Sequence, residues 1–183
     1  TSLTQGIKIT DMGENIGKTK DEVFKNLNIV EDKDVETSDR MPGSYILKEK
    51  QKFANEDLEL AINFDINNGE MYGFMYFKNF DNDHKGAYDL TKKLYDALSE
   101  EYKYPITYPE LPHRISNMPS YEELSREKGV PSYKEEWKAE GDMSVTLESY
   151  FIPDAGAQVT VKYQIGIPTV RSVGPNPAAG NNQ

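Results

Sequence analysis

Histidine is the side chain that most often transfers protons at neutral pH, and this chain has only two, His84 and His113. His84 lies near a predicted helix start and His113 in a proline-rich segment, so their spacing does not match a pair of metal ligands. No Gly-x-Ser-x-Gly or comparable nucleophile motif accompanies them. We therefore predict two exposed histidines without a structural role, and no catalytic residue, metal or cofactor.

A hydrolytic function is the alternative that the composition leaves open. Asp and Glu number 31, and a pair of carboxylates is enough for glycoside hydrolysis. A small hydrolase that uses carboxylates and His113 is therefore the alternative to a protein without enzymatic activity. A deep cleft that gathers His113 with two carboxylates would favour it.

Two short motifs imitate ligand-binding loops but fail on spacing. Gly17-Lys18-Thr19 would end a phosphate-binding loop, but Met12 occupies the position where that pattern requires its first glycine. Asp81-Asn82-Asp83 opens like a calcium-binding loop, but Lys85 and Lys92 occupy positions that need oxygen ligands. Both segments are better explained as helix starts, capped by Thr19 and Asp83.

The strongest candidate for a binding surface is the segment 103–141, which is rich in proline and tyrosine. Proline interrupts regular structure, and Tyr, Trp and Arg most often anchor protein–protein contacts. We expect an irregular insert that either binds a partner protein or lies over the domain as a lid. Capping-box patterns at Ser120 and Ser132 predict short helices over Tyr121–Lys128 and Tyr133–Trp137. The candidate contact residues are Tyr104, Tyr108, His113, Arg114, Tyr121, Tyr133 and Trp137.

A hairpin and a long helix would position this segment. Leu58–Ile66 alternates apolar and polar residues with a period of two, which predicts a half-buried strand. Asn67-Asn68-Gly69 predicts a tight turn, and the aromatic-rich stretch after it predicts a second strand. Asp83–Tyr102 repeats apolar residues at helical spacing and must end before Pro105.

The remaining elements are shorter. Thr19 and Glu22 form a capping-box pattern that starts a helix over Lys20–Leu27. We also predict a short strand around Ile7 and Ile9, a loop over Glu31–Gly43, a strand over Ser44–Phe53 and a final hairpin over Met143–Ile165.

Together these elements predict an α+β fold of two layers. An antiparallel sheet of about five strands would be covered on one face by the long helix and the short N-terminal helix. We predict a single domain over residues 1–170, with the insert at 103–141, and a flexible C-terminal tail over 171–183.

The composition excludes several classes of partner. The formal net charge of −10 disfavours nucleic acid, which requires clustered Lys and Arg. No apolar run approaches the ~20 residues of a membrane-spanning helix. Cysteine is absent, which excludes disulfides, thiolate metal ligands and cysteine nucleophiles.

Two patches carry a resemblance to known proteins. Ile16–Val23 with Leu27 resembles the helix opening of small exported bacterial domains, the outer-membrane-assembly lipoproteins and the β-lactamase-inhibitor-protein type. A helix that ends in Tyr102-x-x-Pro105, followed by Trp137 before a final hairpin, is similar to a pattern of extracytoplasmic bacterial proteins. The resemblance implies a non-enzymatic role in binding or in envelope structure.

We therefore expect an exported domain, secreted or anchored at the cell surface, that binds another protein or an envelope component through the insert. The polar Thr/Ser/Gln start and the Gly-, Pro- and Asn-rich end of the chain are typical of linkers, which fits that expectation. A purely structural module of a larger surface protein is the third interpretation.

Overall fold

The computed structural model describes residues 3–106, 113–127 and 132–166. The chain divides into two compact units. Unit 1 comprises Thr1–Lys78 and Thr160–Ile165, and unit 2 comprises Asn79–Val159 and Gly166–Gln183. Predictions about Tyr108 and about the tail 171–183 lie outside the described residues.

The described residues form nine strands, five α-helices and one turn of 3-10 helix over Ile115–Asn117. The strands are β1 Thr4–Gln5, β2 Val35–Glu36, β3 Ser44–Leu47, β4 Gln51–Phe53, β5 Glu56–Phe64, β6 Met71–Phe80, β7 Ser132–Lys138, β8 Met143–Phe151 and β9 Ala157–Ile165. The α-helices are α1 Ile9–Gly13, α2 Lys20–Leu27, α3 Glu31–Asp34, α4 His84–Tyr102 and α5 Tyr121–Arg126.

The predicted sheet of about five strands with two helices is wrong, because the described chain forms a nine-stranded antiparallel sheet with five helices. Strands β1, β2 and β4 are only two or three residues long, which is too short to show a period in the sequence. Strand β7 lies where the sequence predicts the irregular insert and a short helix.

The central hairpin of unit 1 is confirmed. Strands β5 and β6 pair in antiparallel register, with Leu60 opposite Tyr76. In the turn, Asp65 Oδ1 accepts the backbone N–H of Asn67 at 2.7 Å, and Gly69 takes a left-handed φ of 75°. These contacts close the turn locally.

Strand β5 is buried on both faces over residues 60–64, so the prediction of a single buried face is wrong there, whereas Asp57 is exposed and Glu59 is half-buried on the second face. Leu60 and Ile62 on one face and Ala61 on the other are all 0% exposed. Asn63 lies on the second face at 3% exposure, where its Oδ1 accepts the Ser44 hydroxyl at 2.7 Å. Burial of this amide is tolerated because it is hydrogen-bonded. Ile66 was predicted within the strand but lies in the turn, 73% exposed.

Helix α2 has the predicted bounds. The Thr19 hydroxyl accepts the Glu22 N–H, and a Glu22 carboxylate oxygen accepts the Thr19 N–H at 3.1 Å. Phe24 then packs edge-on against Tyr45 and Phe64, with ring centroids 5.5 Å and 6.1 Å away. The capping box therefore fixes where the helix starts and thereby places Phe24 over the ends of β3 and β5.

Three short predictions in unit 1 are wrong. Ile9 starts helix α1 instead of extending a strand. Strand Ser44–Phe53 is interrupted at exposed residues 48–50 and forms β3 and β4. The predicted loop over Glu31–Gly43 contains α3 and β2, and the Asp34 carboxylate accepts the Val30 N–H at 2.8 Å at the helix start.

In unit 2, helix α4 is confirmed and packs on β7 and β8. Asp83 caps its N-terminus by accepting the Gly86 N–H at 2.8 Å, and the helix ends at Tyr102 as predicted. Thr91 on its buried face donates to the Ala87 carbonyl at 2.7 Å and lies 2.6 Å from the Ser149 hydroxyl of β8. Both hydroxyl-bearing residues are 0% exposed, so this is a fully buried polar contact between helix and sheet.

The predicted helix over Tyr133–Trp137 is wrong, whereas β8 and β9 of the final hairpin are confirmed. Strand β7 pairs antiparallel with β8, with Glu135 opposite Leu147 and Trp137 opposite Val145. Ser132 and Glu135 match a capping box, and the three consecutive charged residues 134–136 show no period of two in the sequence. In the folded strand, however, Tyr133, Glu135 and Trp137 lie on one face. Tertiary burial of these three side chains decides in favour of the strand.

Candidate functional site

The segment 113–127 is held on helix α4. The Ser120 side chain accepts the Glu123 N–H at 3.3 Å and so starts α5 where the sequence predicts it. Tyr121 meets Tyr88 of α4 with ring centroids 5.6 Å apart, and the Tyr88 hydroxyl donates to the Pro119 carbonyl at 2.6 Å. Leu124, one turn further along α5, is 7% exposed. Two contacts with Tyr88 and the burial of Leu124 thus fix α5 within unit 2.

A cleft of about 200 Å³ lies between α5, the start of α4 and the end of β8. Leu124 and the rings of Tyr133 and Phe151, all buried, line its apolar part together with half-buried Tyr121. The remaining lining includes His84, Ser125, Glu127, Pro153 and Asp154. The cleft therefore combines aromatic rings with two exposed carboxylates.

His84 forms one wall of this cleft and has a structural role, so the prediction of an exposed, idle histidine is wrong for it. Its Nε2 lies 3.2 Å from the Ala155 carbonyl oxygen and 3.1 Å from that of Gly156. Its ring also packs edge-on against Phe151, with centroids 6.3 Å apart. The two carbonyl partners require a proton on Nε2, so His84 ties the first turn of α4 to the β8–β9 turn.

The electrostatic environment of the cleft is acidic. Burial, and after it the negative charge of Glu127, raises the pKa of the Tyr133 phenol. Close by, Lys85 Nζ lies 5.7 Å from the ring centroid of Tyr121 and 5.9 Å from that of Tyr88, and it pairs with Asp89 at 2.6 Å. An organic cation thus already rests on an aromatic surface at the edge of α5.

The structure brings some of the predicted contact residues together and separates others. Tyr121 and Tyr133 line the cleft, and the exposed His113 packs on Tyr133 with ring centroids 5.4 Å apart. Tyr104 is 89% exposed. Trp137 is 0% exposed and packs against Tyr95 of α4, with ring centroids 5.6 Å apart. Tyr108 lies outside the described residues.

Arg114 is engaged within unit 2. Its Nε donates to Glu135 Oε2 at 3.0 Å, and its Nη2 donates to the same oxygen. The Ser116 N–H donates to Glu135 Oε1 at 3.0 Å. Glu135 is 0% exposed, so the guanidinium balances a fully buried carboxylate. The sequence offers no signal for this pair, because its members are 21 residues apart and Glu135 resembles any surface glutamate.

The geometry of the cleft gives no support to the hydrolase. Neither His84 nor His113 pairs with a carboxylate in the described part of the chain. Ser125 lines the same cleft as His84, but its hydroxyl donates to the Glu122 carbonyl at 2.8 Å. Over residues 3–106, 113–127 and 132–166, no group of three or more His, Asp or Glu side chains is placed to hold a metal ion.

Unit 1 has a larger cavity of about 820 Å³ between α1, α2 and the β3–β4 connection. Lysines and carboxylates both line it, so their charges offset one another, and no aromatic side chain is among the lining residues. The charged lining residues are Asp11, Glu14, Lys18, Lys33, Asp34, Lys48 and Glu49. This mixture indicates no particular ligand chemistry.

No protein-family model, curated protein or solved structure matches this chain. The resemblance to outer-membrane-assembly lipoproteins and to the β-lactamase-inhibitor-protein type therefore stays a prediction. Among the described helices, none combines the length and the apolar character that crossing a bilayer requires.

The sequence analysis missed seven of the nine residues that line the cleft, and four of the seven, His84, Glu127, Phe151 and Asp154, supply its charges and part of its aromatic surface. An aromatic residue at the end of a strand and acidic residues next to turns are common in proteins, so neither feature marks a binding site in the sequence. What selects these four is their convergence from α4, α5 and the β8–β9 turn, which no local pattern encodes.

Proposed function

We propose that the protein is a non-enzymatic binding domain, exported or at the cell surface, that contacts another protein through the surface around the cleft of unit 2. The observation that carries the proposal is the meeting of Tyr121, Tyr133 and Phe151 in one small cleft. Rigid aromatic anchors beside a pocket are characteristic of the residues that dominate binding energy at protein interfaces.

A second feature of the same region supports the proposal. An open depression of about 510 Å³ is lined by Phe80, Tyr150, Ile152, Ala155 and Ala157, among others. Ile152 is 54% exposed and Tyr150 is 37% exposed, and apolar side chains of this size that cluster at a depression mark interaction sites.

The two depressions share the end of β8. Phe151 and Pro153 line the cleft, whereas the alternate residues Tyr150 and Ile152 line the open depression. A partner that covers the β8–β9 turn can therefore contact both, with the apolar residues at the centre and the exposed carboxylates at the rim.

The test compares capture by variants of the whole protein from an envelope extract of the producing cell. Ile152→Asp and Tyr121→Ser alter the proposed surface, and Ile66→Asp makes the same change at an exposed isoleucine of unit 1. We expect a partner that is retained by the wild type and by Ile66→Asp and is lost with Ile152→Asp and Tyr121→Ser. Retention by all four proteins, or equal loss with Ile66→Asp, would refute the proposed surface.

A further inference from the structure

We infer that the cleft recognises an organic cation, and that this cation is the side chain of a lysine or arginine presented by the partner protein. The inference rests on the proposed function, because it names the group that the partner inserts into that same cleft. It follows from three properties of the lining: its rings, its charges and its size.

Three aromatic rings line the cleft, Tyr121 from α5, Tyr133 from β7 and Phe151 from the end of β8. The face of an aromatic ring attracts a cation within ~6 Å of its centroid, and several rings around one site form the cages that recognise ammonium groups. Lys85 already makes this contact with Tyr121 from within the chain, at 5.7 Å. The cleft is lined by rings of the same kind, but none of its lining residues is a lysine or arginine that could make this contact from within the chain.

The charges favour the same class of ligand. Glu127 and Asp154 line the cleft and are exposed, and neither carboxylate takes part in an ion pair of the described residues. Glu122 and Glu123 in the first turn of α5 outnumber the single basic residue of its last turn, Arg126. The chain as a whole carries −10, which steers a basic partner toward it.

The size of the cleft limits the ligand to a single side chain. Its volume of about 200 Å³ lies below the ~300–1,000 Å³ of sites for drug-sized molecules. A long, unbranched side chain with a terminal charge fits a narrow aromatic site because its methylene groups contact the ring faces while its charge meets the carboxylates. Lysine and arginine are the protein side chains with that form.

Nuclear magnetic resonance titration of the whole protein tests the inference with three probes: Nα-acetyl-lysine methylamide, Nα-acetyl-arginine methylamide and the uncharged Nα-acetyl-norleucine methylamide. We expect saturable shifts of the Tyr121, Tyr133 and Phe151 ring signals with the lysine probe, the arginine probe or both, and none with norleucine. The comparison of the two cationic probes shows which side chain the partner supplies.

Variants then establish that the binding occurs in the cleft. Tyr121→Leu should weaken the cationic probe about tenfold, since it removes a ring face. Glu127→Gln and Asp154→Asn should each weaken it about two- to fivefold, since exposed charges at such distances are partly screened. Glu36→Gln removes the same charge from an exposed position of β2 in unit 1 and should leave the affinity unchanged.

Three results overturn the inference: no saturable shift with either cationic probe, norleucine binding as tightly as the tighter-binding cationic probe, or cationic binding that Tyr121→Leu and Glu127→Gln leave intact. If partner capture still depends on Ile152 and Tyr121 in that case, the proposed function stands and only the cation is wrong. If the probes bind in the cleft but capture is independent of it, the proposed function is wrong, and the cation does not come from that partner.

Discussion

Arg114→Met tests the ion pair that fixes the segment before α5 to strand β7. The Glu135 carboxylate is 0% exposed and has two kinds of partner, the Arg114 guanidinium and the Ser116 N–H at 3.0 Å. The substitution keeps the aliphatic bulk of the side chain and removes its charge. It leaves a buried carboxylate with one backbone donor.

The expected cost follows from this geometry. Breaking a buried ion pair from one side costs about 3–5 kcal/mol, because the other charge is left uncompensated. The Arg114 side chain keeps 16% exposure, so water reaches one side of the pair and the lower end applies, about 3 kcal/mol. That loss changes the folding equilibrium more than ~100-fold.

Equilibrium urea unfolding at neutral pH measures the change, with Trp137 as the fluorescent probe, since it is the only tryptophan and lies two residues from Glu135. The double variant Arg114→Met/Glu135→Gln should be more stable than Arg114→Met alone, because the amide carries no charge. Lys85→Met breaks an exposed pair and should leave the midpoint near that of the wild type. A loss below about 1 kcal/mol in Arg114→Met, or a double variant as unstable as the single one, would contradict the expected cost of an unpaired buried carboxylate.

Three further outcomes follow from single residues. Hydrogen bonds from Thr19, of which the one from its backbone N–H is the strongest, lower the pKa of Glu22. The Glu22 carboxylate therefore stabilises the fold above pH ~4, and this stabilisation is lost as the pH falls through the lowered pKa. The urea midpoints of wild type and Glu22→Gln should converge on acidification. Burial raises the pKa of Tyr76, so the neutral phenol stabilises the fold below pH ~10, and this stabilisation is lost as the pH rises through the raised pKa. The wild type should therefore lose more stability in alkali than Tyr76→Phe. Gly73→Ala places a methyl group against the Tyr163 backbone oxygen and should lower the free energy of unfolding by about 1–3 kcal/mol, whereas an unchanged midpoint would show that β6 and β9 can separate there.

The elements that the sequence predicts well are those whose determinants are local. Thr19 and Glu22 define the start of α2, and Asp83 defines the start of α4, because each cap acts within three residues. The turn after β5 also depends on neighbours, since Asp65 supports Asn67 directly. The starts of α2 and α4 therefore lie where the sequence predicts them, and the turn after β5 forms where it is predicted but begins earlier, since Ile66 lies in it.

The elements that the sequence predicts poorly depend on distant partners. Glu135 matches a helix-capping acid in the sequence, but Arg114 pairs with it in the interior of unit 2 and β7 forms instead. Asn63 matches a solvent-facing residue of β5, but Ser44, 19 residues away, satisfies its amide oxygen. Most buried polar groups in proteins are hydrogen-bonded, and nothing near Glu135 or Asn63 in the chain identifies the partner that each of them has.

The candidate site divides in the same way. Tyr121 and Tyr133 are predicted because tyrosine in a proline-rich segment indicates contact surfaces in general. The cleft that they share depends on His84 holding the β8–β9 turn through the Gly156 carbonyl, 72 residues away. The chemistry of the residues is therefore visible in the sequence, but their convergence is not.

The buried contact between Thr91 and Ser149 restricts how helix α4 can seat on its strands. Leucine and alanine side chains attract without preferred direction, so they alone permit a helix to roll or to slide by a residue at modest cost. A roll that separates these two hydroxyls leaves the Ser149 hydroxyl in an apolar layer without its partner. Two small polar groups thus select one orientation among several that apolar packing would accept, and the double variant Thr91→Val/Ser149→Ala would keep most of the bulk while removing that selection.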